Sequence, residues 1–376
     1  MFSRGRCYFT GMFDAADHHF MARALQLAER GRYTTDPNPR VGCVLVNDGE
    51  IVGEGWHRVT GGPHAEIEAL NQARENRQPI RSGTAYITLE PCCHHGKTPP
   101  CVDSLIDAGI THVVAAMLDP NPKVSGGGVQ RLQEAGIKTS VGLLEAQARA
   151  LNPGFISRMT RGRPYIRLKL AASLDGRTAL RGGESQWITG EHARRDVQRL
   201  RAGSSAIMTG INTVLIDNPS LNLRLESLAA DGGFELVKST DIRQPLRIVL
   251  DSKLRIPLNA RLLKLPGDLL IVTAMDDEAK RDALAEDNVE VVTLPADLTG
   301  RPDLDDVMSM LADGEINEIL VECGNTLAGA LLMAQLVDEI VLYLAPCILG
   351  DGEKGLFSIP ALSSMQARIQ LKLEDI

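Results

Sequence analysis

Pro63-His64-Ala65-Glu66 and, downstream, Glu90-Pro91-Cys92-Cys93-His94-His95-Gly96-Lys97-Thr98-Pro99-Pro100-Cys101 decide how the first half of this 376-residue chain is read. One imidazole and two thiolates can hold a zinc ion with a fourth position left open, as in a catalytic site, whereas a structural zinc is normally closed by four protein ligands. His64 follows Pro63 and Cys101 follows Pro99-Pro100, and proline suits a helix start because its missing N–H would be unpaired there anyway. Helix N-termini also favour thiolate over thiol. His64, Cys92 and Cys101 are therefore the expected Zn2+ ligands. Zinc lowers the pKa of a bound water to about 7, and Glu66, two residues after the histidine, is free to take that proton and hand it to a departing amine. The zinc-deaminase signature joins His-x-Glu to Pro-Cys-x-x-Cys. Here eight residues separate Cys92 from Cys101, so only the first part of that signature is met.

Around this stretch helical and strand patterns alternate. Phe20, Ala22, Leu25, Leu27 and Ala28 mark a helical face over residues 18–31. Two apolar runs, residues 41–46 and 51–55, flank Asn47-Asp48-Gly49, a hairpin signal. Further helices are predicted over 64–74, 101–108 and 129–135, and strands over 84–89, 112–117 and 138–141. The run Gly126-Gly127-Gly128 reads as a plain loop, and residues 143–159 as one helical connector. Arg161-Gly162-Arg163-Pro164 breaks the pattern and places the domain boundary, giving domains at residues 1–160 and 163–376, with residues 1–13 an extension. The second half again alternates, with strands at 165–172, 205–209, 246–251, 269–273, 289–294, 318–322 and 339–344 and helices at 190–201, 304–312 and 325–335. Both halves are of the α/β class. Residues 227–243 are polar and read as a mobile loop.

Composition excludes several functions. A formal net charge of −8 argues against a large nucleic-acid partner, which usually leaves a basic footprint. No apolar run is long enough for a membrane span. The seven cysteines form an odd set, which argues against a disulfide framework and for a cytoplasmic protein.

Taken together, the Glu-Pro-Cys-x-His-x-Gly-Lys-Thr-Pro-Pro-Cys string, the Asn38-Pro39-Arg40-Val41-Gly42 motif and Gly55-Trp56-His57 before the zinc histidine resemble the deaminase half of the bifunctional riboflavin-biosynthesis deaminase-reductases. The resemblance implies a cytidine-deaminase-like α/β/α domain, with Asn38, His57, His94 and Lys97 as substrate contacts and Cys93 as a non-ligand in a Ser-like place. It continues in Lys169-Leu170-Ala171-Ala172-Ser173-Leu174-Asp175-Gly176, in Ser185-Gln186-Trp187-Ile188-Thr189 and in residues 210–224. These fragments resemble the reductase half, which has a dihydrofolate-reductase-like fold and uses NADPH. No Gly-x-Gly-x-x-Gly follows the first strand of either domain, so a Rossmann site is not expected. The Gly324-to-Ala330 stretch, between a strand and a helix, offers backbone N–H groups to a phosphate.

Carried over by position, Ala171, Trp187, Thr213, Asp217, Ser252, Gly324, Asn325, Thr326, Leu327, Ala328, Gly329 and Ala330 are expected cofactor contacts. Ser185, Arg201, Leu221, Arg224 and Glu322 are the expected substrate set. Arg201 and Arg224 suit a ribose phosphate, because a guanidinium fork matches its oxygens. Asp217 and Lys169 are the candidates for catalytic groups of the reduction. The resemblance implies deamination of a phosphoribosylamino-pyrimidine, then reduction of its ribosyl group, in a cytoplasmic dimer formed through the reductase half. The resemblance implies that the family runs on past the segment matching residues 371–376, so either a terminal strand is missing or the sequence diverges there; a lost strand would expose a sheet edge. A nucleic-acid deaminase would predict Cys-x-x-Cys, a basic balance and no reductase half. A zinc-stabilised scaffold would need neither a free Glu66 nor an open zinc position.

Overall fold

The computed structural model describes residues 13–93, 100–122, 124–182, 184, 188–226 and 241–376. The first sheet contains β1 (Gly42–Asn47), β2 (Glu50–Trp56), β3 (Thr84–Ile87), β4 (His112–Ala115) and β5 (Lys138–Val141), ordered β2-β1-β3-β4-β5. β1 is antiparallel to β2 and β3, whereas β3, β4 and β5 run parallel. Asp48 and Gly49 close the β1–β2 hairpin with φ of 48° and 81°, the paired positive angles of a type I′ turn.

Period-two alternation divides the strand side chains between two cores. Cys43, Leu45, Ala85 and Ile87 pack on α2 (Ala65–Glu75) and α3 (Cys101–Asp107) through Ala65, Ala69, Leu70 and Val102. Val44, Val46 and Tyr86 pack on α1 (Ala15–Glu29) through Met21, Ala24 and Leu27. The result is an α/β/α sandwich. α2 lies at backbone contact with β2, because a Cβ on Gly53 or Gly55 would stand 2.4 Å from Ala69 O or 2.3 Å from Ala65 O. That contact fixes where the first turn of α2 begins, at His64.

Two local expectations are corrected. Gly127 and Gly128 open a helix, α4 (Gly127–Glu134), with Gly126 as its left-handed cap at φ 78°. A Cβ on Gly128 would meet Pro91 O at 2.1 Å, so the glycines let α4 seat directly beneath the Cys92 turn. The 143–159 connector is two helices, α5 (Glu145–Leu151) and α6 (Pro153–Arg161). Pro153 lacks the N–H that would continue α5, and the Asn152 side chain at the break turns to the Arg40 backbone, accepting at 2.7 Å and donating at 2.9 Å.

The second sheet is built from β6 (Tyr165–Ser173), β8 (Ala206–Gly210), β9 (Leu246–Leu250), β10 (Leu269–Thr273), β11 (Val289–Thr293), β12 (Glu318–Glu322) and β13 (Glu339–Ala345). Its order is β11-β10-β9-β8-β12-β6-β13, and every pairing is parallel. Helices α7 (Glu191–Ala202), α8 (Ile211–Asp217), α9 (Glu278–Leu284), α10 (Leu304–Asp313) and α11 (Asn325–Met333) intervene. β7 (Arg177–Ala179) and β14 (Lys354–Gly355) form a separate antiparallel ribbon. On one face, Ile166, Leu168 and Leu170 of β6 join Ile319 and Val321 of β12 in the core. The opposite face of the same strands carries Arg167, Lys169, Glu318 and Glu322, with Glu322 in register with Lys169. β13 is an outer strand, and residues 361–376 are exposed. Among the described residues no helix is long and apolar enough to cross a membrane.

Candidate active sites

His64 is the N-cap of α2 and Cys101 the first residue of α3. Cys92 lies between them on the turn after β3. The Nδ1 atom of His64 stands 3.1 Å from Cys101 Sγ and 3.6 Å from Cys92 Sγ. Two ligands at zinc bonding distance and tetrahedral angle would be about 3.6 Å apart, and the three donors, all within 4.8 Å of one another, are close enough to share a zinc ion. Among the described residues this is the one His, Cys, Asp and Glu group close enough to share a metal ion. The Cys101 thiol and backbone N–H both point at Cys92 Sγ, and with His64 beside it these donors pull the Cys92 thiol well below its usual range. The Cys92–Cys101 pair therefore gives up its first proton readily, as a metal ligand must.

Glu66 lies on the first turn of α2, only 3% exposed. Burial pushes its carboxyl up to about 7, with the His64 imidazole pulling the other way. A bound cation would lower it further. Cys93 is placed away from the triangle. Its sulfur faces Gly127, whose added Cβ would come within 2.9 Å.

His57 and Asn38 are brought together beside this triangle. Asn38 Nδ2 donates to His57 Nε2 at 3.1 Å, and His57 Nδ1 donates to Pro63 O at 2.9 Å. Burial holds the His57 imidazole below its usual range, and its tautomer is set by those two partners. His94 and Lys97 lie outside the described residues, as do Ser185 and Trp187.

Glu90 opens the cysteine string, and nothing in the sequence assigns it a role. It is 3% exposed and accepts from the backbone N–H groups of Asp119, Gly126 and Val129 at 3.1, 2.9 and 3.1 Å. It thereby anchors the strand end that carries Cys92 to the start of α4. Glu90→Gln would aim an amide N–H at one of these donors. The expected cost is about 1–3 kcal/mol, read as a lower urea midpoint by circular dichroism.

The second site is a cavity of about 1300 Å³ at the carboxyl ends of β6, β8, β9 and β12, where open α/β sheets bind ligands. It is large enough for more than one small ligand. Ala171, Thr213, Asp217, Ser252, Gly324, Asn325, Thr326, Leu327 and Ala330 line it, and so do Lys169, Arg201, Leu221, Arg224 and Glu322. Ala328 and Gly329 do not. Ala328 is in the core, and an added Cβ on Gly329 would lie 2.2 Å from Ser358 O, so these positions seat α11 and face away from the cavity. Gly324 caps α11 without a side-chain acceptor, which leaves first-turn N–H groups for a phosphate, as a dinucleotide requires.

Arg201 departs from its expected use as a phosphate clamp. Nε and Nη2 donate to Glu322 at 2.6 and 3.0 Å, and Nη1 donates to Asn222 O at 2.8 Å. Its fork is already occupied by a carboxylate. Burial raises the Glu322 carboxyl, but Arg201, Lys169 and Arg224 outweigh it and hold the group below its usual range. Arg224 is exposed on the cavity wall. Lys169 and Asp217 have separate charged neighbours: Lys169 acts on Glu322, while Lys354 acts on Asp217. Burial is the larger influence on Asp217 and raises its carboxyl. Lys354 had no sequence signal; the β7–β14 ribbon brings it to the cavity.

Two family models match the chain. Residues 14–117 match the cytidine and deoxycytidylate deaminase zinc-binding region, and residues 164–376 match the RibD C-terminal domain. The chain is 50% identical over 360 residues to riboflavin biosynthesis protein RibD of Escherichia coli, covering 96% of each. It is 46% identical to the Haemophilus influenzae protein of the same name, covering 94% of this chain and 92% of that one. The solved structure of Acinetobacter baumannii RibD superposes with a TM-score of 0.85 at 41% identity, covering 96% of this chain and 95% of that one. A Thermotoga maritima structure, described as a diaminohydroxyphosphoribosylaminopyrimidine deaminase and 5-amino-6-(5-phosphoribosylamino)uracil reductase, superposes with a TM-score of 0.82 at 34% identity, with the same coverage. With the zinc triangle in a cytidine-deaminase-like domain and the cavity in a dihydrofolate-reductase-like one, this chain belongs to the RibD family of bifunctional riboflavin-biosynthesis enzymes.

Proposed function

We propose that the chain catalyses two consecutive steps. The first is hydrolytic deamination of 2,5-diamino-6-(5-phosphoribosylamino)pyrimidin-4(3H)-one. The second is NADPH-dependent reduction of the ribosyl group of 5-amino-6-(5-phosphoribosylamino)uracil to ribityl. The observation that carries this reading is the three-donor zinc face with an uncoordinated, buried Glu66 beside it, in one chain with the large cavity of the second sheet.

His64, Cys92 and Cys101 would hold the zinc, which when bound would supply an acidified water as the nucleophile. Glu66 takes the proton from that water and returns it to the leaving amine. Asn38 spends its amide N–H on His57, which leaves its carbonyl oxygen to accept an N–H from the pyrimidine. His94 and Lys97 belong to the same substrate set on sequence grounds.

In the reductase domain, NADPH when bound supplies the hydride. The cavity-lining cofactor set, with Trp187 from the sequence, orients the nicotinamide and seats the phosphates at the start of α11. Asp217, with its raised carboxyl, serves as the acid beside the sugar carbonyl. Lys169 and the Arg201–Glu322 pair form the polar wall, and Arg224 and Ser185 take the substrate phosphate. Domains at residues 1–160 and 163–376, a homodimer through the reductase domain and a cytoplasmic location complete the proposal. Leu342 and Leu344 on outer strand β13, 41% and 57% exposed, support the dimer.

The test is ammonia release from the diamino compound together with NADPH oxidation on the deaminated one. Asp217→Asn is expected to slow NADPH oxidation about 10²-fold or more with ammonia release intact. Equal loss of both activities would instead indicate misfolding.

A further inference from the structure

The loop after α1 belongs to the deaminase domain, yet much of what holds it comes from the other one. Asn317, immediately before β12, is 4% exposed. Its Nδ2 donates to Asp36 Oδ1 at 2.9 Å and to Pro37 O at 2.8 Å. Ser205, immediately before β8, donates to the same Asp36 Oδ1 at 2.9 Å. Asp36 also forms an ion pair with Arg243. On the far side of Asn38, Arg40 donates to Glu318 Oε1 at 3.0 Å. Earlier in the same loop, Tyr33 packs in a cluster with Ala202 and Leu223. Asn38 thus sits in a segment clamped on both sides by the amino ends of β8 and β12.

From Asn38 the connection continues inward through the hydrogen bonds already described, to His57, then to Pro63 O beside the zinc ligand His64. The carboxyl end of β12 is Glu322, in the reductase cavity. Five steps of about 3.3 Å put Asn317 and Glu322 about 16 Å apart. One strand therefore runs from the segment that carries Asn38 to the reductase cavity.

We infer that Asn317 is a positioning residue for deamination: by holding Asp36 and Pro37, the reductase domain sets Asn38 for the pyrimidine, so the deaminase pocket is complete only with the second domain docked. This rests on the reading of Asn38 as a substrate contact. Removing the clamp loosens a binding contact without touching zinc, Glu66 or the attacked carbon. Such a loss raises KM and leaves kcat, because it removes binding common to substrate and transition state.

The full-length, zinc-loaded protein is assayed as wild type, Asn317→Asp, Asn317→Ala and Asn38→Ala. Asn317→Asp keeps the shape and the acceptor that Arg158 Nε uses at 2.7 Å, but loses both donors. The expected result is a deamination KM raised about 5- to 100-fold in both Asn317 variants, with deamination kcat, zinc content and NADPH oxidation on the deaminated compound held at wild-type values. A raised KM in Asn38→Ala alone, with the Asn317 variants like wild type, would overturn the inference and keep the Asn38 reading. An unchanged KM in Asn38→Ala would remove that reading and the inference with it. A parallel fall of both activities in the Asn317 variants would show a general structural role and also overturn it.

Discussion

Glu66→Gln is expected to lower deamination turnover by about 10²–10⁴-fold while zinc content and NADPH-dependent reduction stay at wild-type levels. The amide has the size of the carboxyl it replaces, so the packing around a residue only 3% exposed is preserved. What is lost is the ability to accept a proton from the attacking water and to return it to the amine. The metal triangle is made by His64, Cys92 and Cys101 without Glu66, so zinc retention separates a chemical defect from a structural one. Unchanged turnover in a zinc-loaded Glu66→Gln protein would remove Glu66 from the mechanism.

Cys101→Ala has the second large effect. Cys101 gives the triangle its sulfur 3.1 Å from His64 Nδ1 and directs its backbone N–H at Cys92 Sγ. Without that sulfur only two protein ligands remain, fewer than the three of a catalytic zinc site. Zinc measured by metal analysis after dialysis is expected to fall to background, and ammonia release with it. Reduction of the deaminated compound is expected to persist, because the reductase cavity lies at the carboxyl ends of a different sheet. Retained zinc with retained deamination would contradict the ligand assignment.

Much of the zinc site was legible because its parts are local strings. Proline before His64 and before Cys101 marks two helix starts, and both residues stand there in the structure. The strands were legible where apolar runs are continuous, as in Leu269-Leu270-Ile271-Val272, buried on both faces of a parallel sheet. Pairing between distant residues was not. Arg201 reads as a free phosphate clamp because nothing in its neighbourhood announces Glu322, 121 residues away. Lys354 reaches Asp217 only through the short β7–β14 ribbon, too brief to leave a periodic pattern. Glu90 reads as one more acidic residue until three backbone N–H groups converge on it. Ala328 and Gly329 carry the same signal as their neighbours, since a run of small residues does not say which of them face a ligand.

The most direct test follows both products from one preparation of the wild-type protein, given the diamino compound, zinc and NADPH. Ammonia release should come first, with NADPH oxidation lagging behind it and approaching the same molar amount. Omitting NADPH should leave ammonia release unchanged. NADPH oxidation without prior ammonia release, or ammonia release never followed by NADPH oxidation, would contradict two consecutive steps on one chain.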